Sequence, residues 1–374
     1  KDREQLSLRT TTFDRSPIGT GPFRFAEWLP GQYIHLARNE QYWGRKAEYH
    51  DLFYRTIPDY LTMEVELGAG AVDMYLAQPH QVKRYEQDER YQVVQHNDGY
   101  YSYIGYNMRR PLFQDARVRR ALGMAIDVDS IIKYVLSGQG KRATGPYYSN
   151  TPYYDPDVKP LPYDPKGALE LLAQAGWHKS SNGILEKDGK AFAFTLVTNA
   201  GNLQRKAIMT IAQEAWRKLG IDIKVQAFEW TVFNEEFVDQ DNFDAYVLAW
   251  AGGGINPDMY TIWHSSQTHH YQQNHVDYES AAADELIMKI RATYDPAEQI
   301  KLTRRLHRLI ADDQPYTFLY EVLVPYVFDK RIAAVQQDAS GAEHVEKLTT
   351  PPSGDAFHSF RAWRKFATAP GLVR

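Results

Sequence analysis

The chain has 374 residues, 43% of them hydrophobic and 24% charged, with a formal net charge of -4. That length predicts two domains, and the balanced charge points to neither a nucleic-acid groove nor an anionic membrane surface. The lack of cysteine excludes disulfides, thiolate metal sites and cysteine nucleophiles, and no apolar run approaches the ~18 residues of a membrane-spanning helix.

Residues 1–16 carry no periodicity and are charged and polar. Residues 23–28 and 32–38 read as a hairpin around Leu29-Pro30-Gly31. Strands are predicted at 52–57, 72–75 and 91–95, with helices at 60–67 and 78–86. Residues 100–107 are aromatic and β-preferring. A helix then starts at Asp115, with Val118, Ala121, Leu122, Ala125 and Ile126 on one face and Arg117, Arg119 and Arg120 mainly on the other. A second short helix is capped by Asp129 and ends at Gly138. Residues 140–165 form a long irregular loop, and 164–175 a helix closed by Gly176. Asp188-Gly189 marks a hairpin.

The strongest fold signal follows. A strand at 192–197, a helix at 202–219 stopped by Gly220, a strand at 221–227, a helix at 232–239 and an apolar strand at 243–250 give β-α-β-α-β. Parallel pairing with right-handed crossovers is its natural topology. Two amphipathic helices, at 282–292 and 297–312, precede a strand-rich stretch at 316–328 broken at Pro325. The tail from Arg331 reads as irregular.

In an open parallel sheet, ligands bind at the carboxyl ends of the strands. Three loops leave that edge, at 198–202, 229–231 and 250–257. They combine small residues with amides and indoles: Asn199 and Asn202, Trp230, and Trp250 with Gly252, Gly253 and Gly254. Taken singly, each is equally well a plain connection. The sequence has no GxSxG, HExxH, P-loop or GxGxxG motif and no evident carboxylate pair. His264, His269, His270 and His275 lie in a polar, glutamine-rich setting that reads as a solvated loop rather than a metal site. Arg109, Arg110, Arg117, Arg119 and Arg120 read as a solvated face with edge salt bridges. The 26 tyrosines and 8 tryptophans suit ligand-lined surfaces as well as cores.

Several motifs agree in order and spacing: PIGTGPFRF at 17–25, NEQYWG at 39–44, GAVDM at 70–74, YIGYN at 103–107, RVRRALGMAID at 117–127, TNAGNLQR at 198–205 and KLGIDI at 218–223. Together they resemble the extracellular solute-binding proteins of ABC transporters in the peptide, oligopeptide and nickel-binding group, over roughly residues 16–330. The resemblance implies an α/β, periplasmic-binding-protein-like fold of type II, two lobes closing on a ligand. Residues 1–107 are then expected in the first lobe, 108–325 in the second and 326–374 in the return to the first. The family pattern includes a further N-terminal segment, so the first lobe is expected to be incomplete and the chain a fragment or processed product.

The resemblance also implies a non-enzymatic role. The protein would capture an oligopeptide or similar small solute and deliver it to membrane permease subunits, without cofactor, metal or nucleic acid. A monomer at the periplasmic or extracellular face, there lipid-anchored, is expected. Expected ligand contacts are Tyr106 and Asn107 near the first crossing, Asn199, Asn202, Trp230, Trp250, Gly252 and Gly253, and Tyr320 near the return. Two departures bear on the ligand. Gly253 stands where peptide binders carry the aspartate for an α-ammonium, and Asn199 where dipeptide binders carry a carboxylate-binding arginine, with Arg205 and Lys206 beyond it. A sugar, opine or metal-chelate binder on the same fold is the alternative, followed by a cleft hydrolase and by an adaptor with a dead cleft.

Overall fold

Asp59 opens the first helix: its carboxylate accepts from the Thr62 N–H at 2.8 Å, satisfying a donor that the helix leaves free. The computed structural model describes residues 15–97, 99–251, 256–351 and 355–371. It divides into two compact units, Lys1–His96 with Val324–Arg374, and Asn97–Leu323.

The elements before the first crossing are β1 (Phe23–Leu29), β2 (Tyr33–Arg38), β3 (Asp51–Arg55), α1 (Tyr60–Gly68), β4 (Met74–Leu76), α2 (Val82–Gln87) and β5 (Tyr91–His96). The second unit opens with β6 (Tyr100–Tyr106), α3 (Ala116–Met124), α4 (Val128–Ser130), β7 (Gly140–Arg142) and α5 (Pro165–Gln174). A small meander follows, β8 (His178–Lys179), β9 (Leu185–Lys187) and β10 (Lys190–Ala191). Then come β11 (Ala193–Asn199), α6 (Leu203–Leu219), β12 (Asp222–Phe228), α7 (Trp230–Val232) and β13 (Ala245–Ala251). The unit ends with α8 (Tyr260–Trp263), α9 (Ala281–Ala292), α10 (Pro296–Asp313) and β14 (Tyr316–Val322). After the second crossing lie β15 (Val324–Asp329), β16 (Ile332–Gln337), β17 (Glu343–Glu346) and β18 (Trp363–Lys365).

The first unit holds three small sheets, ordered β1-β2-β3, β4-β15-β5 and β17-β16-β18. The hairpin of β1 and β2 forms where the sequence places it. The tail, expected to be irregular, supplies the third sheet. Strand β16 buries Ile332, Ala333, Ala334 and Val335 and pairs with β17 and β18 on either side. Pro325 does not break a strand. The chain turns at Leu323, and Pro325 sits inside β15, opposite Gln95.

The second unit is built on a six-stranded sheet ordered β12-β11-β13-β6-β14-β7. Strand β11 pairs in parallel with β12 and β13, as the β-α-β-α-β pattern predicts. Strands β6, β14 and β7 add in antiparallel fashion beyond β13. Alternation sorts the two faces. Ile104, Leu196, Val247 and Leu319 belong to a core that includes Leu122, Leu172, Ile208 and Trp216 from α3, α5 and α6. Tyr103, Tyr246, Val197 and Phe318 belong to a second core, with Ile287 and Leu306 from α9 and α10. The Trp216 indole, fully buried, donates to the Leu122 carbonyl at 2.9 Å and fastens α6 to α3.

Three sequence expectations change here. Residues 100–106 form the central β6 of the second unit's sheet and do not complete the first unit. The short helix after α3 is capped by Asp127, whose side chain accepts from the Ser130 N–H at 2.9 Å, and not by Asp129. Arg119 is not solvated: it is 4% exposed, and its guanidinium donates to the carbonyls of Phe113, Gln114, Asp313 and Gln314. Arg110 and Arg117 pair with Asp244 and Asp115 at 3.3 and 2.7 Å, in keeping with the salt-bridge reading.

Candidate functional site

Strands β11, β12 and β13 all end at one edge of the second unit's sheet. Because β6 is antiparallel to β13, it begins there, with Tyr100 opposite Ala251. Strand β14 ends there, with Glu321 opposite Tyr101. Asn199, Phe228, Ala251, Tyr100 and Tyr320 therefore share this carboxyl edge.

The loop after β11 builds the most ordered part of the edge. Asn202 caps α6: its side chain accepts from the Arg205 N–H at 2.9 Å. The cap fixes the first helical turn and turns Arg205 back toward the sheet. The guanidinium donates through Nη1 to Asn199 Oδ1 at 2.8 Å and through Nη2 to the Tyr100 hydroxyl at 3.1 Å. Asn199 and Arg205 are 8% and 9% exposed. Asn199 and Asn202 are thus where the sequence places them, and both hold Arg205, a residue the sequence reading left on the helix beyond. Tyr320, 2% exposed, lies at the same edge, and burial raises the pKa of its hydroxyl.

Trp230 opens α7 just past β12 and is 49% exposed. Glu229 caps that turn, accepting from the Thr231 N–H at 2.7 Å. Leu203, at the start of α6, is 78% exposed. An exposed indole and an exposed leucine thus follow two neighbouring strand ends, and Leu203 was not singled out in the sequence.

Trp250 takes the other face of the sheet. Its indole donates to the Tyr316 hydroxyl at 3.2 Å, and its ring meets His275 edge-on at 5.9 Å. Burial, with the Arg109 charge nearby, holds the His275 pKa down at about 4, so the ring is neutral at pH 7. Gly252 and Gly253 lie outside the described residues.

Tyr106 and Asn107 are not at this edge. They end β6, and so lie at the opposite edge. Tyr106 is fully buried and bonds Thr317 Oγ1 at 2.7 Å. Asn107, 1% exposed, donates to the carbonyls of Asp241 and Phe243 at 3.0 and 2.8 Å. Both are structural ties, and neither joins the loops that leave β11 and β13.

The histidine-rich loop is held by its own pairings. Asn274, fully buried, donates to the carbonyls of His264 and Tyr278. His270 pairs with Asp241 at 3.1 Å. Among the described residues no group of three His, Cys, Asp or Glu is placed to hold a metal ion. Nor, among them, is any helix long and apolar enough to cross a membrane.

The mixed fold of the chain is that of solved solute-binding proteins. The family model for bacterial extracellular solute-binding proteins, family 5 (middle), matches residues 4–272, and the chain belongs to that family. The oligopeptide-binding protein AppA of Bacillus subtilis is 39% identical over 319 residues, 84% of this chain and 58% of that protein. Its structure in complex with a nonapeptide aligns over 95% of this chain and 68% of that chain, with a TM-score of 0.72. NikZ of Campylobacter jejuni, solved in complex with Ni(L-His), is 25% identical and aligns over 97% of this chain and 71% of that one, with a TM-score of 0.77. The chain spans 54% to 64% of the length of the first curated relatives it matches.

Proposed function

We propose that the protein is the solute-binding component of an ABC importer, taking up a small organic solute, a peptide foremost, at the carboxyl edge of the second unit's sheet. Family membership and the position of Asn199, Arg205, Tyr100 and Trp230 at that edge support the reading. The observation that carries it is the convergence of strand ends. An antiparallel β6 delivers Tyr100 to the place where β11 delivers Asn199, so polar and aromatic groups far apart in sequence meet over a β13 that ends in alanine.

The groups gathered there support a binding role rather than turnover. Amide, phenol, indole and guanidinium groups recognise a solute by shape and hydrogen bonding. The partners would be membrane permease subunits, the location the periplasm or the extracellular face with a lipid anchor, and the working form a monomer. Peptide is placed first because AppA, the more identical relative, was solved with one. The NikZ complex keeps a metal chelate as the second reading.

Intrinsic tryptophan fluorescence tests the proposal directly, because Trp230 and Trp250 both follow or end strands of this edge. Titration with a peptide series and with Ni(L-His) is expected to give a saturable change for one of them. A flat response to both classes, from protein shown to be folded, would reject the reading.

A further inference from the structure

Residues 140–165 read as an irregular loop, yet Tyr147 and Tyr148 within it are 1% and 0% exposed. A buried phenol needs a partner for its hydroxyl. Both hydroxyls find one on the connection between β13 and α8. Tyr147 donates to the Pro257 carbonyl at 2.8 Å, and Tyr148 to the Trp250 carbonyl at 3.3 Å. Trp250 stands at the end of β13, and Pro257 just before α8. Two neighbouring side chains thus hold that connection at both of its ends.

The next residue anchors the pair. Ser149 donates twice to the Glu321 carboxylate, from its N–H to Oε1 at 2.8 Å and from its hydroxyl to Oε2 at 2.7 Å. Glu321 lies near the end of β14, between Tyr101 on β6 and Lys141 on β7, and is 1% exposed. Thr151 ties the segment from the other side: its N–H and hydroxyl donate to the Tyr148 carbonyl at 3.0 and 2.8 Å. The Tyr148 ring packs against the entry to β6. Gly99 has φ 59° there, and a Cβ on it would meet the ring at 3.0 Å.

A buried carboxylate is a costly way to hold a loop. Burial raises the Glu321 pKa, against the pull of the Ser149 hydrogen bonds and the Lys141 charge. A neutral or apolar group of the same size would be easier to bury. What the carboxylate supplies is two acceptor oxygens in one plane, which match the two donors of a single residue. An amide supplies one. The carboxylate therefore fixes how Ser149 is oriented, and with it the two tyrosines that precede it.

We propose that Glu321, acting through Ser149, Tyr147 and Tyr148, positions Trp250 for the bound solute. All four are positioning residues. The Trp250 backbone is held by Tyr148 and its indole by Tyr316, so the ring is presented at the carboxyl edge in one orientation. The inference rests on the solute-binding reading and deepens it: the shape of the site at Trp250 is set by a carboxylate that accepts from Ser149 and acts at one remove.

Fluorine NMR of the full chain labelled with 5-fluorotryptophan follows the 8 tryptophans, and Trp250→Phe identifies the Trp250 signal. Glu321→Gln keeps the volume but leaves one Ser149 donor without its acceptor, and is expected to shift or broaden that signal. Ser149→Thr, which keeps both donors, should leave it in place. So should Asn107→Ala, a variant at the opposite edge of the sheet. The same variants are titrated with tri-alanine, a nonapeptide and Ni(L-His). For a probe that the unaltered protein binds, Glu321→Gln is expected to weaken affinity about tenfold, and Ser149→Thr by less than about twofold. Circular dichroism checks folding, and Tyr148→Phe, which keeps the ring buried, takes the place of Glu321→Gln if that variant does not fold. An unmoved Trp250 signal overturns the inference. A moved signal with unchanged affinity also overturns it, leaving Glu321 a tie of the fold and solute binding intact. Binding of no probe by the unaltered protein rejects the solute-binding reading, and the inference with it.

Discussion

Arg119 Nε donates to the carbonyl of Gln314 at 3.0 Å, joining α3 to the left-handed residue that ends α10. The same guanidinium holds Asp313, Phe113 and Gln114, so one buried side chain closes a helix C-terminus and the turn before α3. Replacing it strands several carbonyls at once. Arg119→Met is expected to cost about 3–5 kcal/mol, as for a buried charge network broken on one side. Urea unfolding followed by tryptophan fluorescence measures it. A loss under ~1 kcal/mol would show that water replaces the guanidinium at these carbonyls.

Gly220 ends α6 at φ 96°, and a Cβ there would lie 2.4 Å from the Gly183 carbonyl oxygen. Both the left-handed backbone and the clash oppose a side chain. Gly220→Ala should destabilise by roughly 2–3 kcal/mol, while Gly201→Ala, with nothing within 4 Å, should change little. Thermal melts of the two variants give the comparison.

His275 and His307 are both buried, with pKa values held down at about 4. Each is neutral in the folded protein and takes up a proton on unfolding below about pH 6.5. The unfolded state then binds more protons, so stability falls as the pH drops from 6.5 toward 4. Above 6.5 the two groups cost nothing. His307→Gln should flatten that part of the stability–pH curve relative to the unaltered protein. An unchanged slope would show that His307 is solvated or protonated in the fold. Comparing variant with parent removes the contribution of Glu321, whose pKa burial raises and which acts in the opposite sense.

Asn107 and Trp230 separate folding from binding. Asn107→Ala breaks the hydrogen bonds to the Asp241 and Phe243 carbonyls and the one accepted from the Arg109 N–H, and should cost ~2 kcal/mol of stability, with no change in solute affinity once folded. Trp230→Ala removes a side chain that is half exposed, so stability should move by less than about 1 kcal/mol while affinity falls. The reverse pattern would relocate the binding site.

The parallel part of the sheet is readable because its punctuation is local. Asn202 and Gly220 bracket α6, and the alternation of 221–227 gives its neighbour strand. The direction of β6 is not local. Its aromatic run says strand, but only pairing with β13 decides which end meets the carboxyl edge. That single reversal moves Tyr106 and Asn107 out of the candidate site and brings Tyr100 in. Arg205 escapes the sequence for a similar reason: its partner Tyr100 lies 105 positions away. Among the arginines around α3, helical spacing could not set Arg119 apart from Arg117 and Arg120, because two of its acceptors, the Asp313 and Gln314 carbonyls, come from the distant end of α10. The strands of the tail are short and weakly patterned, and they exist because Ile332–Gln337 finds partners on both sides.

The nesting of the chain has a consequence for the order in which the protein can be made. The second unit is one uninterrupted stretch, complete once residue 323 has been synthesised. The first is not, because β15 is the middle strand of the sheet β4-β15-β5. Val327 must pair with Val93 across more than two hundred residues before that sheet exists. On a growing chain β4 and β5 wait, unpaired at the edges they will later share, while the whole of the second unit folds ahead of them. The sheet β4-β15-β5 is thus begun before the second unit and finished after it, and its waiting strands are what a chaperone would need to shield during that interval.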